Sequence, residues 1–210
     1  MRANYHTHTW RCMHASGTER EYVESAIQGG LKVLGFSDHT PYPYPKEFSS
    51  HMRMQVDQLE GYVDTVLDLK REYREDIEIH LGLEVEYYTE HYIKYFHKLQ
   101  RLVADYPVEY FLLGQHYIDC EFGGSWSGRP TDDPNVLRRY CAQTGEAMET
   151  GYFTYVAHPD LIRFTGDESI YEEQMRALCR KARELSLPLE INCLGIYEGR
   201  HYPSDRFWEI

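Results

Sequence analysis

This sequence lacks several features that would assign it to common functional classes. It contains no apolar run long enough to cross a bilayer, and no basic-plus-apolar signal segment opens the chain. Its five cysteines include no Cys-x-x-Cys pair, which argues against a zinc ribbon and a disulfide framework. Its 34 acidic residues outnumber 22 basic ones, and the net charge of -12 disfavours nucleic acid and anionic membranes as partners.

These absences predict a cytoplasmic protein with reduced thiols, no nucleic-acid partner and no membrane partner. A length of 210 residues is sufficient for a single domain, residues 1–210, with a substantial hydrophobic core. The composition leaves the oligomeric state open.

Histidine, by contrast, is abundant, with eleven in the chain. His6 and His8 are two residues apart, so in an extended strand their side chains point to the same face. Two neighbouring neutral imidazoles form half of a transition-metal site, and His14 follows closely. An exposed surface strand is the alternative interpretation of the His-x-His pair, and the rest of the chain decides between the two.

Apolar periodicity and turn signals predict strands that alternate with helices. Thr18 and Glu21 fit a capping box at a helix start, Gly29-Gly30 ends that helix, and Asp133-Pro134 starts a later one. Such alternation is typical of a parallel sheet with crossover helices. The predicted strands are 3–6, 31–36, 77–87, 108–114, 152–157 and 188–192, and the predicted helices are 18–28, 55–73, 90–105, 133–149 and 168–185.

Five histidines and one glutamate fall at or near the carboxyl ends of the predicted strands. Because the chemistry of α/β barrels lies at that end of the sheet, we expect a barrel in which these side chains form a polynuclear metal site. Imidazoles with a carboxylate suit zinc, manganese or iron, whereas calcium prefers ligand sets made of oxygen alone. The residues are His6, His8, His39, His116, His158 and Glu84.

Glu84 is the candidate for a carboxylate that bridges two metal ions. Its predicted strand has Leu81, Leu83 and Val85 on one face, and it has Glu84 and Glu86 on the other. An acidic face in a barrel mouth is costly without cations or partners, whereas a solvent-exposed strand would need neither. Clustered cations suit phosphate ester hydrolysis, because they make hydroxide from water near neutral pH and hold the attacking and leaving oxygens.

Six short motifs, which occur in a fixed order over nearly the whole chain, resemble those of the PHP (polymerase and histidinol phosphatase) superfamily. The motifs are His6-Thr7-His8, His14-Ala15-Ser16-Gly17, Asp38-His39-Thr40-Pro41, Gly82-Leu83-Glu84, His116 and His158-Pro159-Asp160. The resemblance is closest to the monofunctional histidinol-phosphate phosphatases, and Glu190-Ile191-Asn192 and Tyr202-Pro203 support that branch.

The resemblance implies a distorted, TIM-like barrel of seven βα units that binds three divalent metal ions, of zinc, manganese or iron. It also implies hydrolysis of L-histidinol phosphate to L-histidinol and phosphate, by attack of a metal-bridging hydroxide. Glu84, His116 and His158 would be the catalytic residues. The implied ligands are His6, His8 and Glu84 for the first ion, Glu84, His116 and His158 for the second, and His14 and His39 for the third.

Members of the superfamily continue to a seventh strand that ends in Asp-x-His. This sequence stops at residues 205–210, which fit the opening turn of a helix capped by Ser204 or Asp205. We therefore expect that the chain lacks its C-terminal segment, including the last βα unit and two metal ligands.

A phosphate monoester also needs cationic contacts besides metal. Arg163, just after the His158 motif, is the first candidate for substrate binding, and Arg129 and Arg200 in glycine-containing loops are the others. A solvated surface arginine is the alternative for each. Asp38 is expected either to orient His39 or to cap its loop. The other histidines are expected to be ordinary surface residues or to support the site indirectly; they are His51, His80, His91, His97 and His201.

Three rival functions stay open at this point. A PHP phosphoesterase could act on a nucleotide, a sugar phosphate or phosphotyrosine. A metal-dependent amidohydrolase also uses a His-x-His pair, but it requires a lysine at a strand end, and the sequence places none there. A degenerate barrel that binds metal without turnover would follow if the Asp-x-His ligands were absent.

Overall fold

The computed structural model describes residues 2–210, in which strands and helices alternate as predicted. The chain divides into two compact units: Met1–Val85 with Lys94–Leu112, and Glu86–Ile93 with Leu113–Ile210. The strands are β1 (Ala3–Asn4), β2 (Val33–Phe36), β3 (Glu78–Val85), β4 (Tyr110–Leu113), β5 (Tyr117–Ile118), β6 (Ser125–Trp126) and β7 (Tyr155–Val156). The helices are α1 (Glu19–Gln28), α2 (Leu59–Glu72), α3 (Ile93–Val103), α4 (Pro134–Glu149), α5 (Glu168–Glu184), α6 (Cys193–Glu198) and α7 (Asp205–Trp208).

The first unit contains a parallel sheet in which β1, β2, β3 and β4 are neighbours in that order. β1 pairs with β2 through Ala3 opposite Val33, and β2 continues opposite β3 as far as Phe36 opposite Leu81. The six residues from Leu81 to Glu86 are all buried, as expected for a parallel strand covered on both faces. The sequence predicts one apolar and one acidic face for this strand, whereas in the structure the residues of both faces are buried.

Local signals position the helices of the first unit as the sequence predicts. The Thr18 side chain accepts a hydrogen bond from the Glu21 backbone, and the Glu21 carboxylate accepts one from the Thr18 N–H at 2.6 Å, which completes the capping box of α1. The Tyr62 hydroxyl of α2 donates to the Gly82 carbonyl at 2.8 Å, so the buried face of this helix is fixed on β3.

The Tyr110 ring of β4 lies against two glycines of the sheet. Its hydroxyl is 2.8 Å from the Tyr5 carbonyl and 2.9 Å from the Phe36 carbonyl, both of which can accept its proton. A Cβ at Gly35 or at Gly82 would overlap this phenol ring. Glycine is therefore required at both positions by close approach of a rigid side chain.

The second unit is built on β7 and on the pair of helices α4 and α5. The Ala157 N–H, just after β7, donates to the Leu113 carbonyl at 2.9 Å. Asp133 accepts from the Asn135 N–H at 2.9 Å and caps α4, with Pro134 at the first helical position as predicted. Asp167 caps α5 in the same way.

The structure differs from the sequence prediction in several segments, among them the predicted helix 90–105, which begins with a 3-10 turn, Glu90–Tyr92, before α3. The predicted strand 188–192 makes only a single bridge, Val156 with Leu189, because α6 begins at Cys193. The segment 117–128, which contains Gly123, Gly124 and Gly128, forms an unpredicted antiparallel hairpin of β5 and β6. The predicted helix 55–73 begins with a 3-10 turn, Val56–Gln58, before α2. Two-residue strands and six-residue helices are too short for periodicity to identify them.

None of the helices in the described residues combines the length and the apolar character needed to cross a membrane.

We expect Gly82→Ala to destabilise the protein by about 1–3 kcal/mol, because the added methyl group must displace the buried Tyr110 ring. The measurement is the urea midpoint of unfolding. Gly61→Ala is the matched control: Gly61 is exposed on α2, where alanine should stabilise the helix by roughly 0.5–1 kcal/mol. Equal midpoints for the two variants would show that the packing argument is wrong.

Candidate metal centre

Three imidazoles surround one buried carboxylate oxygen in the first unit. The Oε2 atom of Glu84 is 3.2 Å from His6 Nε2, 3.0 Å from His8 Nε2 and 3.2 Å from His39 Nδ1. The two Nε2 atoms of His6 and His8 are 3.0 Å apart. The Glu84 side chain has no exposed surface, so the solvent-exposed alternative for this residue is wrong.

The strand ends bring these residues together. His39 and Glu84 face each other across a parallel bridge that extends the pairing of β2 and β3. The Glu84 N–H donates to the Asp38 carbonyl at 3.1 Å, and the Thr40 N–H donates to the Glu84 carbonyl at 3.0 Å. The Thr7 N–H donates to the Ser37 hydroxyl at 3.1 Å, and the Ser37 N–H donates to the Thr7 carbonyl at 3.0 Å. These two bonds align the His-x-His segment beside the end of β2.

Asp38 fixes the loop after His8. Its carboxylate accepts from the Thr9 N–H and from the Thr9 hydroxyl, both at 2.6 Å, and it lies 2.9 Å from Cys12 Sγ. Burial raises the pKa of the Asp38 carboxyl, and burial likewise raises the pKa of the Cys12 thiol. Of the two roles expected for Asp38, the hydrogen bonds support that of fixing a loop, but the loop is the one that carries His8.

His14 reaches the same cluster from the exposed side. Its ring centroid is 5.5 Å from that of His8 and 5.1 Å from that of His39, while His8 and His39 stack at 4.5 Å. The structure therefore brings together the five residues of the first unit that the sequence nominated as ligands, namely His6, His8, His14, His39 and Glu84.

This donor set fits a divalent transition metal. Ligand atoms about 2.0–2.1 Å from a tetrahedral zinc ion are about 3.3 Å apart, which is close to the separations of 3.0–3.2 Å around Glu84 Oε2. A buried carboxylate is costly without compensating positive charge, and three imidazoles that face it can share a cation with it. A metal would therefore complete the charge balance of this cluster.

A second cluster lies in the second unit, around His116 and His158. Their ring centroids are 4.9 Å apart, and His116 Nδ1 is 3.4 Å from the buried Glu86 carboxylate. Trp126 of β6 stacks on His116 with centroids 5.6 Å apart and ring planes inclined by 19°. Metal-binding histidines commonly donate their second ring N–H to a carboxylate, so Glu86 has the position of such an orienting group.

His158 adopts a backbone conformation that is rare outside glycine, with φ of 31°. Its N–H donates to the Glu190 carboxylate at 3.0 Å, and its carbonyl accepts from the Leu161 N–H at 3.0 Å. Glu190 also accepts from the Asn192 side chain at 3.1 Å, so the predicted family motif at 190–192 supports the His158 backbone.

The three candidate arginines are all exposed in the second unit, and they are not equivalent. Among residues 2–210, no hydrogen bond or ion pair involves the guanidinium of Arg163 or of Arg129. Arg200 pairs with Glu198 and donates to the Tyr202 hydroxyl at 2.6 Å. In the described part of the chain, none of the three guanidinium groups hydrogen-bonds to His116 or His158.

Sequence reasoning missed Cys12 and Trp126. Cys12 lies four residues after His8 in a 3-10 turn, and Trp126 is an aromatic residue in a glycine-rich loop. The closeness of Cys12 to His8 and the presence of a tryptophan among glycines are visible in the sequence, but neither feature predicts a role at the site. The other histidines lie outside both clusters as predicted; His51, His91 and His97 are exposed, His80 pairs with Glu78 and Glu109, and His201 bonds the Leu161 carbonyl.

A family model for the PHP domain matches residues 4–193. This chain belongs to the PHP domain family. The match spans both units, and it contains every histidine and glutamate nominated as a ligand.

Several relatives of this PHP domain carry the name histidinol-phosphatase or probable histidinol-phosphatase. The "Probable histidinol-phosphatase" of Deinococcus radiodurans is 29% identical over 164 residues, which cover 74% of this chain and 59% of that protein. The chain therefore spans less than two thirds of the length of this relative.

Two solved structures share the fold of this PHP domain. The "putative histidinol phosphatase hisK" of Listeria monocytogenes superposes with a TM-score of 0.78 at 19% identity, over 99% of this chain and 89% of that one. The histidinol phosphate phosphatase of Lactococcus lactis, complexed with zinc, L-histidinol and phosphate, gives 0.69 at 20% identity, over 91% and 73%. The predicted TIM-like barrel of the PHP type is confirmed by these likenesses.

We expect Glu84→Gln to reduce the metal content of the purified protein and to abolish its stabilisation by zinc, because the amide removes the buried negative charge. Zinc at 100 times its Kd stabilises a folded protein by about 2.7 kcal/mol, which is roughly 5–11 °C in Tm for a chain of this size. The measurements are elemental analysis and thermal melts with and without zinc.

Glu78→Gln is the matched control, since Glu78 lies on the same strand but is exposed. The carboxylate has no role in metal binding if Glu84→Gln retains both the metal content and the zinc-dependent rise in Tm.

Proposed function

We propose that this chain is a metal-dependent phosphomonoesterase that hydrolyses L-histidinol phosphate to L-histidinol and phosphate. The observation that carries the proposal is the buried Glu84 carboxylate with three imidazole nitrogens at 3.0–3.2 Å. The name of the Deinococcus relative and the histidinol and phosphate bound in the Lactococcus structure support this substrate.

The proposed cofactors are three divalent metal ions of zinc, manganese or iron. Bound to such ligands, these ions supply a nucleophile from water near neutral pH and stabilise negative charge on phosphoryl oxygens. His6 and His8 would hold one ion with Glu84, and His14 and His39 would hold another. The assignment of Glu84, His116 and His158 to a shared ion, as the catalytic residues, stays a prediction from the family resemblance.

The residues of the chain perform the orienting work. Thr9 and Asp38 hold the loop that carries His8, and the pairing of His39 with Glu84 sets the spacing of those two ligands. In the second unit, the Glu86 carboxylate lies 3.4 Å from His116 Nδ1, so the other ring nitrogen, Nε2, would be the one that binds a metal ion. Ligands held in this way lose little freedom when they bind.

Arg163 is the preferred phosphate-binding arginine among the three candidates. Its exposed guanidinium is not committed to an ion pair in residues 2–210, whereas Arg200 already pairs with Glu198. Arg129 is equally uncommitted. It is the second choice because Arg163 lies closer in sequence to the His158 motif. Planar guanidinium groups bind phosphate oxygens with two parallel hydrogen bonds.

The substrate is a small phosphate ester, and the acidic net charge of -12 argues against nucleic-acid and membrane partners. A cytoplasmic location and a single domain over residues 1–210 stay predictions.

We expect the metal-loaded protein to release phosphate from L-histidinol phosphate faster than from para-nitrophenyl phosphate. His116→Ala should lower the rate by at least roughly 100-fold, because losing a metal ligand costs more than losing a group that only orients one. His97→Ala, at an exposed position on α3, is the control and should retain full activity.

The outcomes of this assay separate the rival functions. Equal slow rates on both substrates would keep a metal phosphoesterase and reject L-histidinol phosphate. Metal binding without phosphate release would indicate a degenerate barrel.

We expect Arg163→Ala to raise the KM for L-histidinol phosphate about 10- to 100-fold, which corresponds to the loss of a charge-assisted hydrogen bond. Arg180→Ala, which removes an exposed arginine of α5, is the control. Metal content should be unchanged in both variants. Identical KM values for both variants would transfer the phosphate-binding role away from Arg163.

A further inference from the structure

Cys12 contacts groups that determine where two of the proposed ligands lie, although it is not itself one of them. Its Sγ atom accepts a hydrogen bond from the His39 N–H at 3.1 Å, and it lies 3.4 Å from His8 Nδ1 and 2.9 Å from Asp38 Oδ1. Cys12 is fully buried, and its 3-10 turn is closed by Thr9, whose hydroxyl accepts from the Arg11 N–H.

The hydrogen bonds around Cys12 Sγ indicate which groups carry the protons. Asp38 receives the N–H and the hydroxyl proton of Thr9, so its carboxylate acts as an acceptor. The thiol proton of Cys12 is therefore donated to Asp38 Oδ1, since a carboxylate has no proton to give. The sulfur lone pairs then face the His39 N–H and the His8 ring.

This arrangement selects one tautomer of His8. If Cys12 Sγ accepts at 3.4 Å, the proton of a neutral His8 ring is on Nδ1 and the lone pair is on Nε2. Nε2 is the atom that lies 3.0 Å from Glu84 Oε2, in the centre of the first cluster. A metal ligand must present its lone pair there, and outer groups commonly fix that choice.

We propose that Cys12 is a positioning residue, whose thiol connects Asp38 to the His8 ring and holds His8 Nε2 and the His39 backbone in place for metal. This inference rests on the metal site of the proposed function. A thiolate ligand is the competing role, because Cys12, His8 and Asp38 also have ligand atoms close together. The Asp38 carboxylate already accepts hydrogen bonds from Thr9, and Cys12 Sγ already accepts one from the His39 N–H. This geometry supports a role for Cys12 in positioning ligands, and not as a ligand itself.

The first test compares zinc affinity in Cys12→Ala, Cys12→Ser and Cys141→Ala by competition with a chelating dye. We expect Cys12→Ala to weaken zinc binding at the tightest site about 10- to 100-fold, the range for loss of a group that hydrogen-bonds to a metal ligand and orients it. Serine can donate to Asp38 and accept from the His39 N–H, so Cys12→Ser should recover most of the affinity. Cys141→Ala removes another buried thiol, in α4, and should leave zinc affinity unchanged.

The second test uses spectroscopic signals that a change in stability alone would not move. Nitrogen NMR of the metal-free protein should show His8 protonated at Nδ1, and Cys12→Ala should convert it to a mixture of tautomers. The cobalt-substituted wild-type protein should lack a sulfur-to-cobalt charge-transfer band.

Two results would overturn the inference alone: a charge-transfer band that disappears in Cys12→Ala, which makes Cys12 a ligand, or a folded Cys12→Ala variant with unchanged zinc affinity. A wild-type protein that binds neither zinc nor cobalt would overturn the proposed function together with this inference.

Discussion

The buried carboxylate of Glu84 is the constraint on which the first unit depends. Its side chain has no exposed surface, and three imidazole nitrogens lie 3.0–3.2 Å from one of its oxygens. An isolated carboxylate in such a place would be neutralised by a proton or would destabilise the fold, whereas a shared cation offsets the cost of its burial. The arrangement of these side chains therefore fits a metal site better than it fits a set of hydrogen bonds between the imidazoles and the carboxylate.

The fold contributes by placing chain segments that are far apart in sequence at one end of the sheet. The parallel register continues past β2 and β3 as the bridge between His39 and Glu84, so backbone pairing fixes the distance between these two ligands. Tyr110 packs against Gly35 of β2 and Gly82 of β3, which precede His39 and Glu84 in the chain, so its ring sets the spacing of these two strands close to the cluster. Precision at the site thus follows from rigid elements, and the loop that carries His8 gains its order from Asp38 and Thr9.

The sequence predicted those parts of the molecule that rest on local or repeated signals. The Thr18–Glu21 capping box and the Asp133-Pro134 helix start each act over a few residues, and both helix starts are as expected. The Nε2 atoms of His6 and His8, whose spacing places them on one face of an extended chain, are 3.0 Å apart. The role of Cys12 depends on residues 26 and 27 positions away, and the stacking of Trp126 on His116 depends on a two-residue hairpin. Neither follows from propensity or periodicity, because tertiary contacts create them.

The backbone of His158 gives a physical reason to regard the second cluster as functional. A positive φ at a residue other than glycine costs free energy, and such a conformation persists only where the surroundings impose it. Here the Glu190 carboxylate holds the N–H of His158, and the Leu161 N–H holds its carbonyl. The ring centroids of His158 and His116 are 4.9 Å apart, and this pairing is the feature that a metal site would use.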